Sequence, residues 1–460
     1  FAILWLTGGA DTPGNYSGHS RPGLTDMAFR ERAFPTWTRL TTINRRATRR
    51  NSDRGRLLQT GTFICGAVGL DTDLSFVYQL FALLFCTLVF ARLSIRVRSP
   101  EVSVKRQLPK YATAGVPFEY LITVTNNGHH VERDLQALDN PKIIPPDLAQ
   151  FERMREPGEE TRNAYDRWLG FHRFIWLQKL NTGISLKPAD VPDVDLLSHA
   201  QAIVEATPLR RGSVYFESTT ILHPDPFGLN YGATEFDNQE HLTVLPKRYP
   251  IPRRFEFKSG RHFQPGGINS TWSIGESDEF VSLRDYRDGD PIRKIHWASS
   301  AKRDKPVVKE FQDEFFVRQA LVVDTFGNNP AAFEDVISVA ASLLVDRENL
   351  DGLMDLYFMS TRPEIITAGQ GHAQTAQQLE ALATLQLTDR GSSDFVSLLS
   401  EQARRMSGCL MVFSGFSEQQ ETLLATVENR GVQTAVFIIT EKNDRTAYRS
   451  DFFVLASGDI

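Results

Sequence analysis

The stretch from Leu74 to Ala91 carries no charged residue, and it limits the folds open to this chain more than any other part of the sequence. As an α-helix it would be roughly 27 Å long at ~1.5 Å per residue, which is close to the thickness of a membrane's hydrocarbon core. The stretch therefore predicts one membrane-spanning helix. An apolar segment before it, Leu57 to Leu70, is shorter, and its length alone suits a core helix or a re-entrant segment.

The charges around these two apolar segments are distributed unevenly. Basic residues precede the first segment and follow the second, whereas the connection between them holds the acids Asp71 and Asp73. The positive-inside rule then places both ends in the cytoplasm and the connection outside. We expect a multi-pass protein of the inner (cytoplasmic) membrane, with the lipid bilayer as a partner and the soluble domains in the cytoplasm. A soluble protein with one buried helical pair is the alternative.

Composition narrows the classes of protein further. A chain of 460 residues that is 41% hydrophobic permits about three folded units. The net charge of -5 gives no electrostatic footprint for nucleic acid, so we expect neither DNA nor RNA as a partner. Cys65, Cys86 and Cys409 have neither disulfide-framework nor metal-site spacing, and reduced thiols in a cytosolic setting are expected.

The region before the apolar segments shows no sustained periodicity. We expect 1–56 to be a basic tail without regular structure. Residues 1–26 are rich in glycine, serine and proline, and Met27 is a plausible natural start, so that 1–26 would be non-native.

Short alternating strands follow the apolar region, which we place at 57–93. Tyr120, Ile122 and Val124 alternate with more polar residues before the turn at Asn126, and similar short runs recur to about residue 245. This spacing predicts an Ig-like all-β sandwich over 94–250. A charged, aromatic and helix-permissive insertion at about 147–195 interrupts it, and its aromatic cluster covers the sandwich or contacts the bilayer surface: Trp168, Phe171, Phe174, Ile175 and Trp176.

The C-terminal part alternates between strands and helices. A continuous apolar strand ends at Val323, and further apolar strands at 353–359, 409–413 and 432–439 are separated by helical stretches. We therefore predict an α/β domain with a parallel, doubly wound sheet over 318–460.

A connecting segment over 251–317 joins the two folds, and its part from Gly275 to Glu314, the signature segment, is dense in charged and turn residues. We predict a strand ending at Tyr286, a helix capped by Asp290, a strand from Pro306 with one buried face, and Trp297 as an apolar plug. Two interpretations of its charges stand side by side. Either the acids and arginines satisfy one another at a joint between domains, or a catalytic cluster forms from Arg284, Asp285, Asp288, Asp290, Arg293 and His296. The catalytic cluster would use Asp290 or His296 as base and Arg284 or Arg293 to bind an anion.

The signature segment resembles that of a bacterial membrane-associated family known as domain of unknown function 58. A second stretch, Pro208 to Gly212 followed by the Asp-Pro-x-Gly-Leu turn at Asp225 to Leu229, also resembles the family pattern. The resemblance implies a two-helix hairpin over 57–93 and a C-terminal domain similar to the von Willebrand factor type A fold. The matching signature residues, to which we assign a structural or docking role, are Glu279, Phe280, Leu283, Arg284, Tyr286, Gly289, Asp290, Arg293, Ile295 and Trp297.

In the type A fold a divalent ion commonly lies after the first strand, on an Asp-x-Ser-x-Ser sequence with further loop ligands. Here Asp324 and the adjacent Thr325 are present, but the two serine positions hold Phe326 and Asn328. Ser414 stands where an aspartate is expected. One carboxylate makes a poor site for Mg²⁺, so we expect no cofactor, with Mg²⁺ at this degenerate site as the open alternative.

The sequence lacks a phosphate-binding loop, an HExxH zinc pair and a GxSxG nucleophile elbow. We therefore expect a non-enzymatic, membrane-anchored adaptor or scaffold that displays a cytoplasmic docking surface. The family resemblance implies a MoxR-type AAA+ ATPase as partner and a role in assembling or activating a membrane or envelope complex. An enzyme with its active site at 279–297 is the first alternative, and a metal-dependent adhesion module is the second.

Overall fold

The computed structural model describes residues 33–43, 50–68, 75–97, 99–250, 264–274, 280–290, 292–303, 305–316, 318–327, 329–348, 353–367, 372–388, 393–440 and 448–456. The chain is multidomain and divides into two compact units, Phe1–Leu245 and Pro246–Ile460.

Three helices open the first unit: α1 over 33–43, α2 at Asp53–Val68 and α3 at Ser75–Val97. The side-chain oxygen of Ser52 accepts the N–H of Gly55 at 2.9 Å, which caps the start of α2. Gly66 faces the ring of Phe81, and a Cβ there would come within 2.9 Å of it, so a small residue lets α2 and α3 pack closely.

One helix of the described residues, Phe76–Val97 within α3, is long and apolar enough to cross a membrane. The prediction of a span at Leu74 to Ala91 agrees with this helix. The two-span hairpin does not follow from it, because α2 has only 16 residues and falls short of a bilayer's thickness.

Two sheets make up most of the first unit, in the strand orders β1-β3-β7-β5 and β2-β9-β8-β4-β6. Alternation in the sequence produces alternation in burial: in β3, Tyr120, Ile122 and Val124 are buried in one core shared with residues of the other sheet, such as Phe216 and Leu242. The strands are β1 Val102–Gln107, β2 Tyr111–Thr113, β3 Phe118–Asn126, β4 Gln136–Pro141, β5 Ile184–Leu186, β6 Ala189–Asp190, β7 His199–Pro208, β8 Gly212–Pro224 and β9 Tyr231–Leu245.

A charged pair lies inside this core. The fully buried guanidinium of Arg106 donates two hydrogen bonds of 2.8 Å to the carboxylate of Asp139. Tyr120 and Thr219 also donate to this carboxylate, and burial raises the pKa of the Tyr120 hydroxyl above its usual range. A buried ion pair persists where hydrogen bonds satisfy both partners, as they do here.

The insertion between β4 and β5 contains three helices: α4 Leu148–Arg153, α5 Ala164–Leu169 and α6 Phe171–Thr182. Phe34 and Trp37 of α1 pack edge-on and tilted against Phe151 and Phe174 of the insertion, with ring centroids 5.2–6.4 Å apart. This part of the predicted tail is therefore helical, because its two aromatic side chains have a partner surface to bury against.

The contact with α1 also accounts for part of the aromatic cluster of the insertion. Phe171 and Phe174 form their core with α1, whereas the cluster was expected to cover the sandwich or contact a bilayer. Trp168 and Ile175 are exposed, at 50% and 39%. Sequence reasoning treated α1 as a tail and so could not supply this partner.

The second unit has two sheets. The first has three strands in the order β10-β12-β11, and the second has six in the order β15-β14-β13-β16-β17-β18, parallel except for the antiparallel edge strand β15. The strands are β10 Gln264–Ile274, β11 Phe280–Asp285, β12 Val307–Phe316, β13 Arg318–Val323, β14 Leu353–Met359, β15 Pro363–Ile366, β16 Gly408–Phe413, β17 Gln433–Thr440 and β18 Phe453–Ala456. The helices are α7 Trp297–Arg303, α8 Pro330–Glu348, α9 His372–Thr384, α10 Ser393–Gln402 and α11 Glu418–Glu428.

Candidate functional site

The described part of the signature segment contains two paired strands, β11 and β12. β11 and β12 are antiparallel, with Leu283 opposite Lys309, and the N–H of Tyr286 donates to the carbonyl of Pro306 at 2.9 Å. Phe280 is the first residue of β11, and Glu279 lies outside the described residues. The hairpin brings the turn after β11 beside the start of β12.

An ion pair closes this turn. Arg284 donates two hydrogen bonds of 2.7 Å to the two carboxylate oxygens of Asp290, and the N–H of Arg287 donates a third at 2.9 Å. Gly289 has φ +105°, a conformation that glycine adopts without strain and that lets the chain fold back. The hydrogen bonds from Arg284, and then that from Arg287, lower the pKa of Asp290 to about 2. A carboxylate held in this way is a weak base at neutral pH.

The predicted N-cap at Asp290 is wrong. The α-helix begins seven residues later, at Trp297, and the carboxylate of Asp290 accepts from Arg284 and Arg287, which precede it. A short 3-10 turn at Ile292–Lys294 comes next, and α7 starts at Trp297. The bidentate bond to Arg284 competes for the same oxygens that a cap would use, and it is the stronger contact.

The prediction that Trp297 is an apolar plug is also wrong, because its side chain is 66% exposed. Ile292 is 68% exposed and Ile295 is partly buried. The buried anchors are Val307 and Val308, and since these neighbours point to opposite faces, β12 is covered on both sides at its start. The prediction of one buried face fails there.

His296 has a different hydrogen-bond partner from Arg284 and Asp290. Its Nδ1 is 2.7 Å from the Oγ of Ser299, and its backbone N–H donates to the carbonyl of Val307. Arg293 is exposed. The structure therefore joins Arg284 to Asp290 and His296 to Ser299, two separate pairs, where the catalytic interpretation required one convergent cluster.

Asp324 follows β13 and is fully buried. One carboxylate oxygen accepts the N–H of Phe326 at 2.8 Å, and the other accepts the N–H and the hydroxyl of Ser414 and the side-chain N–H of Gln420, at 3.1–3.2 Å. Burial raises the pKa of Asp324 above its usual range, although these hydrogen bonds oppose the rise. Thr325 is buried beside it.

The groups around Asp324 can be compared with the ligands that Mg²⁺ requires. The ion needs oxygen ligands in near-octahedral geometry, but the groups directed at Asp324 are mainly N–H donors. Gln420 is held in this orientation because its carbonyl oxygen accepts from Ser417 in the capping box that starts α11. The residues around Asp324 do not fit Mg²⁺. Gln420 is a residue that sequence reasoning missed, although its place three residues after Ser417 is a capping-box signal.

The second family-like motif lies between β8 and β9, where the carboxylate of Asp225 accepts the N–H groups of Phe227, Leu229 and Asn230. This rigid turn contacts the start of α2. The hydroxyl of Ser52 lies 2.7 and 2.9 Å from the carbonyl oxygens of Gly228 and Leu229, and the N–H of Ser52 donates to Leu229 at 3.1 Å.

Further contacts join the same region of the sandwich to the helices. A Cβ at Gly55 would lie 1.9 Å from the carbonyl oxygen of Leu229, and one at Gly232 would lie 2.7 Å from Ile95 of α3. The ring of Phe227 lies 5.8 Å from that of Phe90, edge to face. The turn is therefore the surface on which α2 and α3 dock, a role that the sequence alone did not indicate.

Residues 282–446 match the family described as "Protein of unknown function DUF58". The uncharacterized protein YeaD of Bacillus subtilis (strain 168) is 31% identical over 136 residues, which cover 29% of this chain and 33% of that protein. The chain thus spans about a third of the length of the curated relative that it matches.

Among solved structures, the PapD-like domain 7 of human CEP192 is 12% identical, with a TM-score of 0.17 over 32% of this chain and 87% of that one. A cohesin module from a Clostridium perfringens family 33 glycoside hydrolase is 8% identical, with a TM-score of 0.15 over 32% of this chain and 98% of that one. Likeness at this level assigns neither a fold nor a function.

Proposed function

We propose that this protein is a membrane-anchored, non-enzymatic adaptor whose soluble domains display a cytoplasmic docking surface for a protein partner. The exposed side chain of Trp297, in the signature segment that also contains the Arg284–Asp290 ion pair, is the observation that carries the proposal. A tryptophan that is 66% exposed at the start of a helix has the residue type and exposure of a typical contact residue of a protein interface.

The anchor is a pair of helices in this proposal. α3 is apolar and displays large hydrophobic side chains such as Leu83 and Phe85, exposed at 64% and 51%. α2 packs on α3 and displays Leu57 and Phe63, at 76% and 78%. Exposed apolar side chains along both helices support lipid as their surroundings, and hence the two-helix hairpin. The basic residues that flank the pair support a cytoplasmic position for both soluble units.

The sheets of the soluble part are those that an Ig-like sandwich and a type A-like domain require. The two packed sheets of the first unit support an Ig-like sandwich. The six-stranded sheet, with Asp324 after β13 and helices in the connections, supports a type A-like domain in which Gln420 and Ser414 occupy the position of an ion. A closed ion site favours the adaptor over a metal-dependent adhesion module.

The docking surface comprises Ile292 and Trp297, with Arg293, Lys302 and Lys305 exposed near them in sequence. Exposed apolar residues with basic groups near them in sequence suit an apolar pocket with acidic groups at its rim, although Asp285 and Asp288 of the same segment are exposed as well. From the family resemblance, we propose a MoxR-type AAA+ ATPase as that partner. The pairing of Arg284 with Asp290 and of His296 with Ser299 favours this function over an active site at 279–297.

Capture of the ATPase by the detergent-solubilised full chain, with and without ATP, tests the proposal. Trp297→Ala is expected to weaken ATP-dependent binding by roughly 30-fold, since a central aromatic contact contributes about 2 kcal/mol or more. Trp168→Ala is the matched control, because Trp168 is exposed too, at 50%, but lies on the insertion, and this variant should bind like wild type. The proposal fails if no ATP-dependent binding occurs or if both variants bind equally.

A further inference from the structure

The turn at Asp225–Asn230 lies beside the helices of the proposed membrane anchor and carries one large exposed apolar side chain. Phe227 is 51% exposed, and its ring contacts Phe90 of α3 at a centroid distance of 5.8 Å. Phe90 belongs to the uncharged part of the candidate span. The tip of the turn is therefore level with the last apolar residues of α3.

The helix lengths set how far the turn stands from the membrane. From Phe90 back to Ser75, α3 extends roughly 23 Å beyond the turn, and α2 extends ~24 Å from its start beside Leu229. The hydrocarbon core of a bilayer is about 30 Å thick. Both lengths are shorter than the core. A helical pair that reaches the far side of the core therefore draws the turn, which is attached to its near end, down to the boundary between headgroups and acyl chains.

The turn also has the internal hydrogen bonds that such a position requires. The carboxylate of Asp225 accepts the N–H groups of Phe227, Leu229 and Asn230, its backbone carbonyl accepts that of Gly228, and its own N–H donates to Asn230. Pro226 has no N–H, so every backbone donor of the turn has a protein acceptor. Backbone donors that leave water need internal acceptors, and turns exposed to water do not.

The charged residues near the turn indicate which kind of lipid surface it would contact. Arg92 and Arg96 of α3 and Arg54 of α2 lie within one or two helical turns of the contact and are exposed. Guanidinium groups at this level attract anionic lipid headgroups, while an aromatic side chain enters the boundary below them.

We infer that the Asp225–Asn230 turn is a membrane-contact site, in which Phe227 inserts into the interface of an anionic phospholipid bilayer and fixes the sandwich on its surface. This inference rests on the proposed anchor. It goes further, because it places a residue outside the helices in the lipid.

Spin-label depth measurements on the full chain in phosphatidylglycerol-containing nanodiscs test the site. With Cys65→Ala and Cys86→Ala as background and the buried Cys409 left in place, a nitroxide is attached at Phe227→Cys. Leu83→Cys serves as the deep control and Tyr215→Cys, on a sandwich strand, as the aqueous control. The relative accessibility to oxygen and to a water-soluble nickel complex gives the depth of each label.

The label at 227 is expected between the two controls, within roughly 5–10 Å of the headgroup level. If the label at 83 is deep but 227 matches 215, the membrane-contact site is refuted while the anchor stands. If the label at 83 is itself aqueous, the anchor and the site both fail. A label at 227 that is immobile and shielded from both reagents would mean that a protein surface or a second copy covers the turn, which also overturns the inference.

Discussion

Replacing Gly55 by alanine should loosen the contact between α2 and the Asp225 turn. The new Cβ would lie 1.9 Å from the backbone carbonyl oxygen of Leu229, and because the Cβ is fixed to its Cα, the contact can be relieved only by moving backbone. Ordinary contact begins at 3.4 Å, so α2 and the turn have to separate by about 1.5 Å. That shift stretches the hydrogen bond from the N–H of Ser52 to Leu229, now 3.1 Å, and the contacts of its hydroxyl.

The change in the free energy of unfolding caused by Gly55→Ala is the balance of opposing effects. Alanine favours a helix over glycine by up to ~1 kcal/mol, whereas overpacking costs about 1–3 kcal/mol and each lost hydrogen bond ~1 kcal/mol. We expect Gly55→Ala to lower the free energy of unfolding of the first unit by about 1–2 kcal/mol. Gly61 of α2 is the matched control, because a Cβ there meets no atom within 4 Å, and Gly61→Ala should be neutral or stabilising.

Thermal unfolding of the full chain in one detergent compares the two variants. A difference of about 1–3 kcal/mol between them corresponds to midpoints roughly 2–12 °C apart for a unit of this size. Ser52→Ala should also destabilise, and the double variant with Gly55→Ala should be less destabilised than the sum, because both changes act on one contact. If Gly55→Ala is as stable as Gly61→Ala, the docking of α2 on the turn is refuted.

Three further predictions concern other groups. Asp324→Asn should destabilise the second unit by about 1–3 kcal/mol, because an amide N–H₂ would face hydrogen-bond donors. Mg²⁺ should leave the unfolding midpoint of the wild type unchanged. A midpoint that Mg²⁺ raises in the wild type but not in Asp324→Asn would contradict the closed site. Since the folded pKa of Asp290 lies below its ordinary value, ionised Asp290 stabilises the fold above about pH 4, and this contribution disappears toward about pH 2. The acid-unfolding limb followed by fluorescence should therefore be shallower in Asp290→Asn, and an unchanged limb would count against the Arg284 pair. In intact membranes Cys86 should react with neither a permeant nor a charged maleimide, because lipid disfavours the reactive thiolate, and reaction with the charged reagent would contradict its position in the bilayer. Cys409, which is buried and has a raised thiol pKa, should react only after unfolding, as mass spectrometry can establish.

The regular elements were largely predictable because their patterns are local. The apolar strands at 353–359 and 409–413 and the helix that begins after Ser417 follow from runs and periodicity that the sequence displays directly. The spanning helix within α3 follows in the same way from the absence of charge.

Errors arose where a residue had a choice of partners. Asp290 is a good N-cap by type, but a bidentate bond to Arg284 takes its oxygens, and Trp297 is apolar by type yet is 66% exposed. The contacts of Ser52 with Leu229 and of Trp37 with Phe174 join residues far apart in the chain. A single sequence holds no record of such pairs, so the docking of α2 and the burial of α1 became visible only in the fold.

The most direct test of the membrane-anchored adaptor is the side of the membrane on which the soluble units lie. A C-terminal tag on the full chain should resist external protease in intact bacterial spheroplasts, become sensitive in inverted membrane vesicles, and stay in the membrane fraction after carbonate extraction. Digestion of the tag in intact spheroplasts, or release of the protein by carbonate, would contradict the account.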